Sequence, residues 1–415
     1  MRLIPSGAPC MAPLAFALAN ATLWIEPLFL TRLSLSMLPH ARPQIAPEDI
    51  AAVTESLGGP WLTSGPAVEA FEREFAARVD CAHAVALSSD AAAAHAAFFA
   101  LGIGPGDEVL LPAIAFPALA NAVVLLGATP VFADVEPSSL LISPTTAAAR
   151  LSARTKAIVC VDYAGQCCDY ESLRLLAGRQ NLALVADSSH ALGASSAGRK
   201  AGSMGDVSVF GFHPTMPMTT SEGGMVTTNV PEFAARMRTF RNHGVSDDDR
   251  QRAESGSWFY AVTHPGYNYR LSDMQCALGL SQLRRLAQWV ERRRQLAQRY
   301  NAALAGVPGV TPLAVRPRVQ HAYGLYVVRV ELVNSGRDRS EIYTALYRAK
   351  IRADVHWLPL HLHPYYRQRF RTSPGLCPVA EQAYDEILSL PLFPAMTDAD
   401  VDRVVNVIGE TIGQR

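Results

Sequence analysis

From Lys156 to Asp187 the chain reads KAIVCVDYAGQCCDYESLRLLAGRQNLALVAD. Two short runs rich in Val, Ile and Leu, KAIVCVD and LALVAD, flank a longer helix-compatible segment, YESLRLLAGRQ. An apolar run with little alternation predicts a strand buried on both faces, and a helical crossover between two such runs predicts parallel pairing. The same rhythm extends outward in both directions. AHAVAL (82–87), EVLLP (108–112), PVFADV (130–135) and VSVFGF (207–212) are further strand-like runs, separated by helical segments such as AAAAHAAFFALG (91–102). The expected fold class is α/β, a mostly parallel sheet covered on both faces by helices.

After Asn268 the pattern changes. LSDMQCALGLSQLRRLAQWVERRRQLAQRYNAALAG (271–306) carries a long helical period and stops at Gly306, just before Pro308. Beyond it, YGLYVVRVEL (323–332) and VVNVIGETI (404–412) suggest a smaller α+β unit. The expected organisation is an N-terminal extension over residues 1–36, a large domain over 37–290 and a small C-terminal domain over 291–415. The extension is read as lying outside the fold, which would begin near Met37. A signal peptide is the competing reading, with Arg2 leading MAPLAFALA. Interruptions by Pro, Asn20 and Glu26 keep the segment short of the ~18 uninterrupted apolar residues of a membrane span.

A length of 415 residues exceeds one ordinary core, and 49% apolar with 18% charged residues is a globular composition. Lys+Arg and Asp+Glu are both 37, so no global field draws the chain to nucleic acid or an anionic membrane. The seven cysteines lack the C-x-x-C spacing of a zinc site, and Cys167 and Cys168 are adjacent, where an ordinary bridge is strained. No metal is expected, and a reducing cytoplasm is the expected compartment. Lysines are scarce: Lys156, Lys200 and Lys350 are the only three.

Ligands of open α/β sheets sit beyond the carboxyl ends of the strands, so the residues just after each run carry the information. They are Ser88, Ser89 and Asp90 after AHAVAL, Phe116 after EVLLP, Asp187 and His190 after LALVA, and Gly211 with the FHPTM loop after VSVF. Each alone could be a turn. Together they outline one pocket.

Several ordered blocks make a resemblance specific: WLTSGPAVEAFEREFA (61–76), LGIGPGDEVLLP (101–112), DSSHALGA (187–194), FHPTMPMTTSEGGMVTTN (212–229), RNHG (241–244), GYNYRLSDMQCALGLSQL (266–283) and VHWLPLHLHPYY (355–366). In this order they resemble the DegT/StrS family of PLP-dependent nucleotide-sugar aminotransferases, from about Met37 to the C-terminus. DYAGQ followed by DSSHALGA looks most like the members that act at C4 of UDP-linked keto-deoxy sugars, as in pseudaminic acid biosynthesis. The resemblance implies the aspartate-aminotransferase-like large domain (PLP fold type I), a nucleotide-sugar-like ligand and a dimer.

It also implies roles. Asp187 matches the carboxylate that pairs with the pyridinium nitrogen, where an anion keeps the ring protonated and an electron sink. His190 matches the residue near the ring's phenolic oxygen, and Phe116 resembles the aromatic that stacks on the ring. Ordinary packing roles in the core are the competing readings for both. Asn268 resembles the residue lent across the dimer interface to the phosphate, while Thr63, Arg270 and His356 are placed at the substrate.

Three positions depart from the family pattern. Met216 stands where the family has the Schiff-base lysine, and a thioether has neither a nucleophilic nitrogen nor a titratable proton. Where the family commonly shows S-G-T-A-A to receive the phosphate at a helix mouth, this chain has Ser89-Asp90-Ala91-Ala92-Ala93. The hydroxyl is gone at Ala91 and a carboxylate has arrived beside it at Asp90; two like charges ~4 Å apart repel by roughly 4 kcal/mol at an effective dielectric near 20. An N-cap role is the plainer reading of Asp90. In place of the phosphate-binding serine of F-S-F stands Gly211, within Phe210-Gly211-Phe212.

None of the three lysines is placed to substitute for Met216. PLP or PMP is therefore expected to be held without a covalent bond, or not at all. Three functional readings follow: a PLP- or PMP-using sugar enzyme without a lysine and with His213 or His190 as base, a cofactor-free protein of the nucleotide-sugar cleft, and a non-catalytic subunit paired with an active paralogue. A homodimer is the expected assembly of the first two.

Overall fold

The computed structural model describes residues 37–246, 250, 252, 255–331 and 338–413. The extension expected over residues 1–36 lies outside the described residues. Among the described residues thirteen strands follow one another: β1 (His83–Leu87), β2 (Glu108–Pro112), β3 (Thr129–Ala133), β4 (Thr155–Val161), β5 (Ala183–Asp187), β6 (Ser195–Ser196), β7 (Arg199–Lys200), β8 (Val207–Gly211), β9 (Gly224–Thr228), β10 (Val310–Pro312), β11 (Val319–Gln320), β12 (Tyr326–Val330) and β13 (Ile387–Leu390).

Seven of them form one sheet in the order β1-β9-β8-β5-β4-β2-β3. The pairs from β8 to β3 are parallel, and β9 alone runs against its neighbours. Every residue of β2, β8 and β9 is buried, as strands covered on both faces must be. All six runs that the sequence marks as strands lie in this sheet, so the mostly parallel α/β fold is as expected.

The helix Asp90–Ala100 packs against β1, β8 and β9. Its alanines allow that closeness: Ala92, Ala93, Ala94, Ala96, Ala97 and Ala100 are all buried. This short-side-chain helix begins where β1 ends, which sets its N-terminus beside the carboxyl ends of β5 and β8.

A 32-residue helix, Asp273–Leu304, spans about 48 Å at 1.5 Å per residue. Ser272 and Gln275 cap its start reciprocally. Asp273 accepts the N–H groups of Gly65 (2.8 Å) and Ala67 (3.1 Å), fixing the head of the helix Pro66–Arg78 against it. The boundary expected at residue 290 falls inside the long helix. Its first half packs on the main core with Leu283, Leu286 and Val290, and its last turns contribute Leu296, Tyr300 and Leu304 to a second core. That second core also holds Leu38, strands β10, β12 and β13, and the helices Arg339–Arg348 and Asp398–Gly413. Leu38–Arg415 nevertheless forms one unit.

Arg293, on the long helix, is fully enclosed between the cores. Its guanidinium donates to the carbonyls of Leu392 (2.9 Å) and Tyr323 (3.2 Å), while its Nε has no partner. Among the described residues no helix is long and apolar enough to cross a membrane.

Candidate active-site cleft at the strand ends

The cleft begins with β5. Its last residue, Asp187, accepts hydrogen bonds from the Ser189 hydroxyl (2.6 Å) and the Ser189 N–H (3.1 Å). Burial raises the Asp187 pKa to about 6, and the facing charge of Asp90 adds to the rise. Behind it lies Asp162, fully buried, holding the Ser188 hydroxyl (2.7 Å), the Cys168 N–H (2.9 Å) and the Tyr170 hydroxyl (3.0 Å). Burial lifts its pKa to about 7.

Opposite Asp187 is the mouth of the helix Asp90–Ala100. Ser89, extended at φ −163° and ψ 169°, is the N-cap, its hydroxyl accepting from Ala92 N–H at 3.1 Å. Asp90 is therefore the first helical residue and not the cap, because the chain leaves β1 one residue earlier than an aspartate cap requires. The Asp90 carboxylate instead accepts the N–H of Ala91 at 2.6 Å. The Ala93 N–H is taken by the Ser89 carbonyl at 2.9 Å. Three successive donors at this helix mouth, those of Ala91, Ala92 and Ala93, are thus satisfied within the chain.

Asp90 is desolvated, which raises its pKa; Glu222 adds to the rise, while the Ala91 N–H and His213 work against it. Its neighbour across the cleft is the last residue of β8. A Cβ built on Gly211 would lie 3.1 Å from the Asp90 Cβ, so the aspartate stem fills the space a side chain at 211 would need.

The loop after β8 turns back on itself at Met216, whose N–H donates to the His213 carbonyl at 2.9 Å. Met216 is half-buried and borders a narrow crevice with Arg42, Gln282, Trp289 and Arg293. His213 is exposed and its Nδ1 lies 2.9 Å from the Thr215 hydroxyl.

A third wall is aromatic and basic. His190 is buried and its ring stacks on Trp357 at 5.2 Å and 16°. Its backbone is gripped so closely that a Cβ on Gly324 would lie 2.4 Å from the His190 carbonyl oxygen. Phe116 is 47% exposed, outside the core, and 6.0 Å from the same Trp357. His356 bonds Ser389 Oγ at 2.8 Å and lies 5.2 Å from the ring of His40. Desolvation first, then repulsion from His356, His40 and Arg293, lowers the His190 pKa to about 3; desolvation and His356 lower that of His40 to about 4. His190 is a neutral imidazole at pH 7 and a poor proton acceptor.

Thr63, Asn268 and Arg270 gather elsewhere. Thr63 bridges Ser272, Asn268 bridges Asn242, and Arg270 donates to Asn242 Oδ1 at 2.6 Å. They adjoin a separate cleft lined by Glu69, Glu72, Arg238, Arg241, Asn242 and Arg270. The segment is moored to the end of β1, since Ser88 N–H donates to the Tyr269 carbonyl at 2.8 Å. None of the three lysines approaches Met216 through a bond in the chain: Lys200 pairs with Asp80 at 2.9 Å, and Lys156 and Lys350 are exposed.

Residues 43–409 match the sequence profile of the DegT/DnrJ/EryC1/StrS aminotransferase family. The chain belongs to that family. Among DegT/DnrJ/EryC1/StrS relatives, it is 42% identical over 377 residues to the spore coat polysaccharide biosynthesis protein SpsC of Bacillus subtilis, covering 90% of this chain and 97% of SpsC. The structure is similar to that of the aminotransferase TlmJ from Streptoalloteichus hindustanus, with a TM-score of 0.84, 32% identity, and 91% and 99% of the two chains covered. It is equally similar to PseC of Helicobacter pylori, an aminotransferase of pseudaminic acid biosynthesis, with a TM-score of 0.84, 30% identity, and 91% and 100% covered. The α/β architecture is that of the PLP fold type I aminotransferases in this family.

The residues present do not fit the whole of a PLP or PMP molecule. Asp187, Phe116 and His190 suit the ring. The phosphate end meets a carboxylate, three donors already bonded, and no hydroxyl at 211. Sequence reasoning did not single out Trp357, Glu222, Asp162, His40 or Arg293. Trp357 adjoined the quoted His356 and Glu222 sat in the TTSEGG run, so both were within reach; Arg293 was hidden in an arginine-rich helix where nothing marks burial.

Proposed function

We propose that this chain is a nucleotide-sugar aminotransferase homologue, serving amino-sugar or glycan biosynthesis, that does not carry out Schiff-base transamination. The observation that carries the reading is the Asp90 carboxylate bonded to Ala91 N–H and packed against Gly211, in a cleft whose loop offers Met216 where the family has its lysine. An amine is missing at one end of the cleft and an anion site at the other. The ligand proposed for the remaining surface is a nucleotide-sugar-like molecule, bound in a soluble, cytoplasmic protein. If PMP is used, His213 is the proposed base, because burial lowers the His190 pKa to about 3 and leaves it weakly basic.

The test is reduction with borohydride after incubation with PLP, followed by peptide mass analysis. No stoichiometric pyridoxyl adduct is expected on Lys156, Lys200 or Lys350, and such an adduct ends the reading.

A second reading is favoured by the segment 266–270. It keeps its mooring to β1 and its Arg270–Asn242 bond, while Asn268 and Tyr267 stay exposed. A subunit that completes a neighbour's cleft without catalysing in its own has these features. In that case the chain forms a mixed dimer with a lysine-containing paralogue; otherwise the segment serves packing in a homodimer.

A further inference from the structure

We propose that Asp90 is a built-in occupant of the phosphate end of the cleft, coupled to Gly211, and that it turns the cleft from phosphorylated ring ligands toward unphosphorylated ones. The inference rests on the proposed reading of the cleft as that of a PLP-family protein that has lost its anchor.

Three observations converge. The Asp90 carboxylate holds Ala91 N–H at 2.6 Å, and the Ala92 and Ala93 donors are bonded to Ser89, so the helix mouth already has its anion. The side chain takes the room opened at Gly211, where a Cβ would lie 3.1 Å from its own. Facing it, Asp187 and Glu222 add negative charge, and His213 is near enough to act against the rise. A phosphate monoester, carrying close to two negative charges, would have to displace a carboxylate from the donors it needs while two more carboxylates look on.

The other end of the cleft is different. Asp187 offers an acceptor for a protonated ring nitrogen, and Phe116 is half-exposed beside Trp357. A planar, cationic ring with a neutral hydroxymethyl arm satisfies both ends, since a hydroxyl donates to a carboxylate that repels a phosphate. The site therefore selects a pyridinium-type ring without a phosphate.

Pyridoxamine and PMP share the ring and the amine and differ only in the phosphate, and neither carries an aldehyde that a lysine could capture. Their binding is measured by titration calorimetry on the full chain, on Asp90→Asn, which keeps the volume and removes the charge, and on Asp90→Gly. Pyridoxamine is expected to bind the unaltered protein at least as tightly as PMP. Asp90→Gly should reverse the order, with PMP at least tenfold tighter, and Asp90→Asn should lie between. A tenfold preference for PMP in the unaltered protein overturns the proposal. If neither compound binds it, Asp90→Gly decides: PMP binding gained supports the proposal, and none gained overturns it.

Coupling is read separately by thermal unfolding. Gly211→Ser should lower Tm in the presence of Asp90 and cost little in the Asp90→Gly background, whereas equal shifts in both refute the pairing. A lysine adduct with PLP would overturn the proposed function while leaving the amine ratio readable, so the two failures are distinguishable.

Discussion

Two ends of one cleft have had different fates. At the end of β5, Asp187 keeps a carboxylate steadied by Ser189, with His190 and Trp357 stacked beside it. At the ends of β1 and β8, on the proposed reading, Asp90 and Gly211 stand where a phosphate would be received, on strands and a helix that are regular. A binding site on an α/β sheet is divisible: each strand delivers its own residue, so one end can change while the scaffold and the other end persist.

The largest effect should come from rebuilding the altered end. Met216→Lys alone supplies an amine but leaves Asp90 in place. Met216→Lys with Asp90→Gly and Gly211→Ser should bind PLP about 1,000-fold more tightly than the single variant, roughly the scale of one removed charge repulsion at short range. An absorbance titration compares the two proteins, and equal affinities would erase the contrast between the ends.

A smaller effect tests whether this chain serves another's cleft. Co-expression with a lysine-containing paralogue should give a mixed dimer, and Asn268→Ala in this chain should then lower the partner's transaminase rate by about tenfold, the low end of what positioning contacts contribute. Recovery of homodimers alone, or a rate indifferent to Asn268, assigns the segment 266–270 to packing.

The smallest concerns pH. The Asp187 pKa is raised on folding, so its stabilising contribution is complete near pH 4 and is lost as pH rises through about 6. His190 and His40 oppose it: their lowered values mean that stability is lost as pH falls below 6.5 toward about 3 and about 4 respectively. Asp187→Asn should therefore leave the histidine slope uncovered, gaining on the order of 1 kcal/mol at pH 7 relative to pH 4 against the unaltered protein. Denaturant unfolding at both pH values reads this difference, and parallel curves would mean that Asp187 is not desolvated.

The sheet was legible because its strands are buried on both faces and so announce themselves as apolar runs; the residues after them were legible because strand ends are few. What escaped notice depends on distant segments meeting. His190 and Trp357 are far apart in the chain, and nothing local says that their rings stack. Arg293 reads as one more surface arginine until the carbonyls of Tyr323 and Leu392 are brought to it. The choice between Ser89 and Asp90 as cap turned on the single residue at which β1 releases the chain, a boundary that sequence patterns locate only to within a few positions.

The contact between Asp90 and Gly211 also carries a direction in time. If a serine once stood at 211, an aspartate at 90 would have met its Cβ at 3.1 Å, which favours the glycine coming first or together with it. The way back is resisted in the same order, since a serine restored at 211 sits more easily once the aspartate has gone. Lineages descending from this chain can acquire an amine at 216 by one base change, but the paired residues beneath it change most easily in one order.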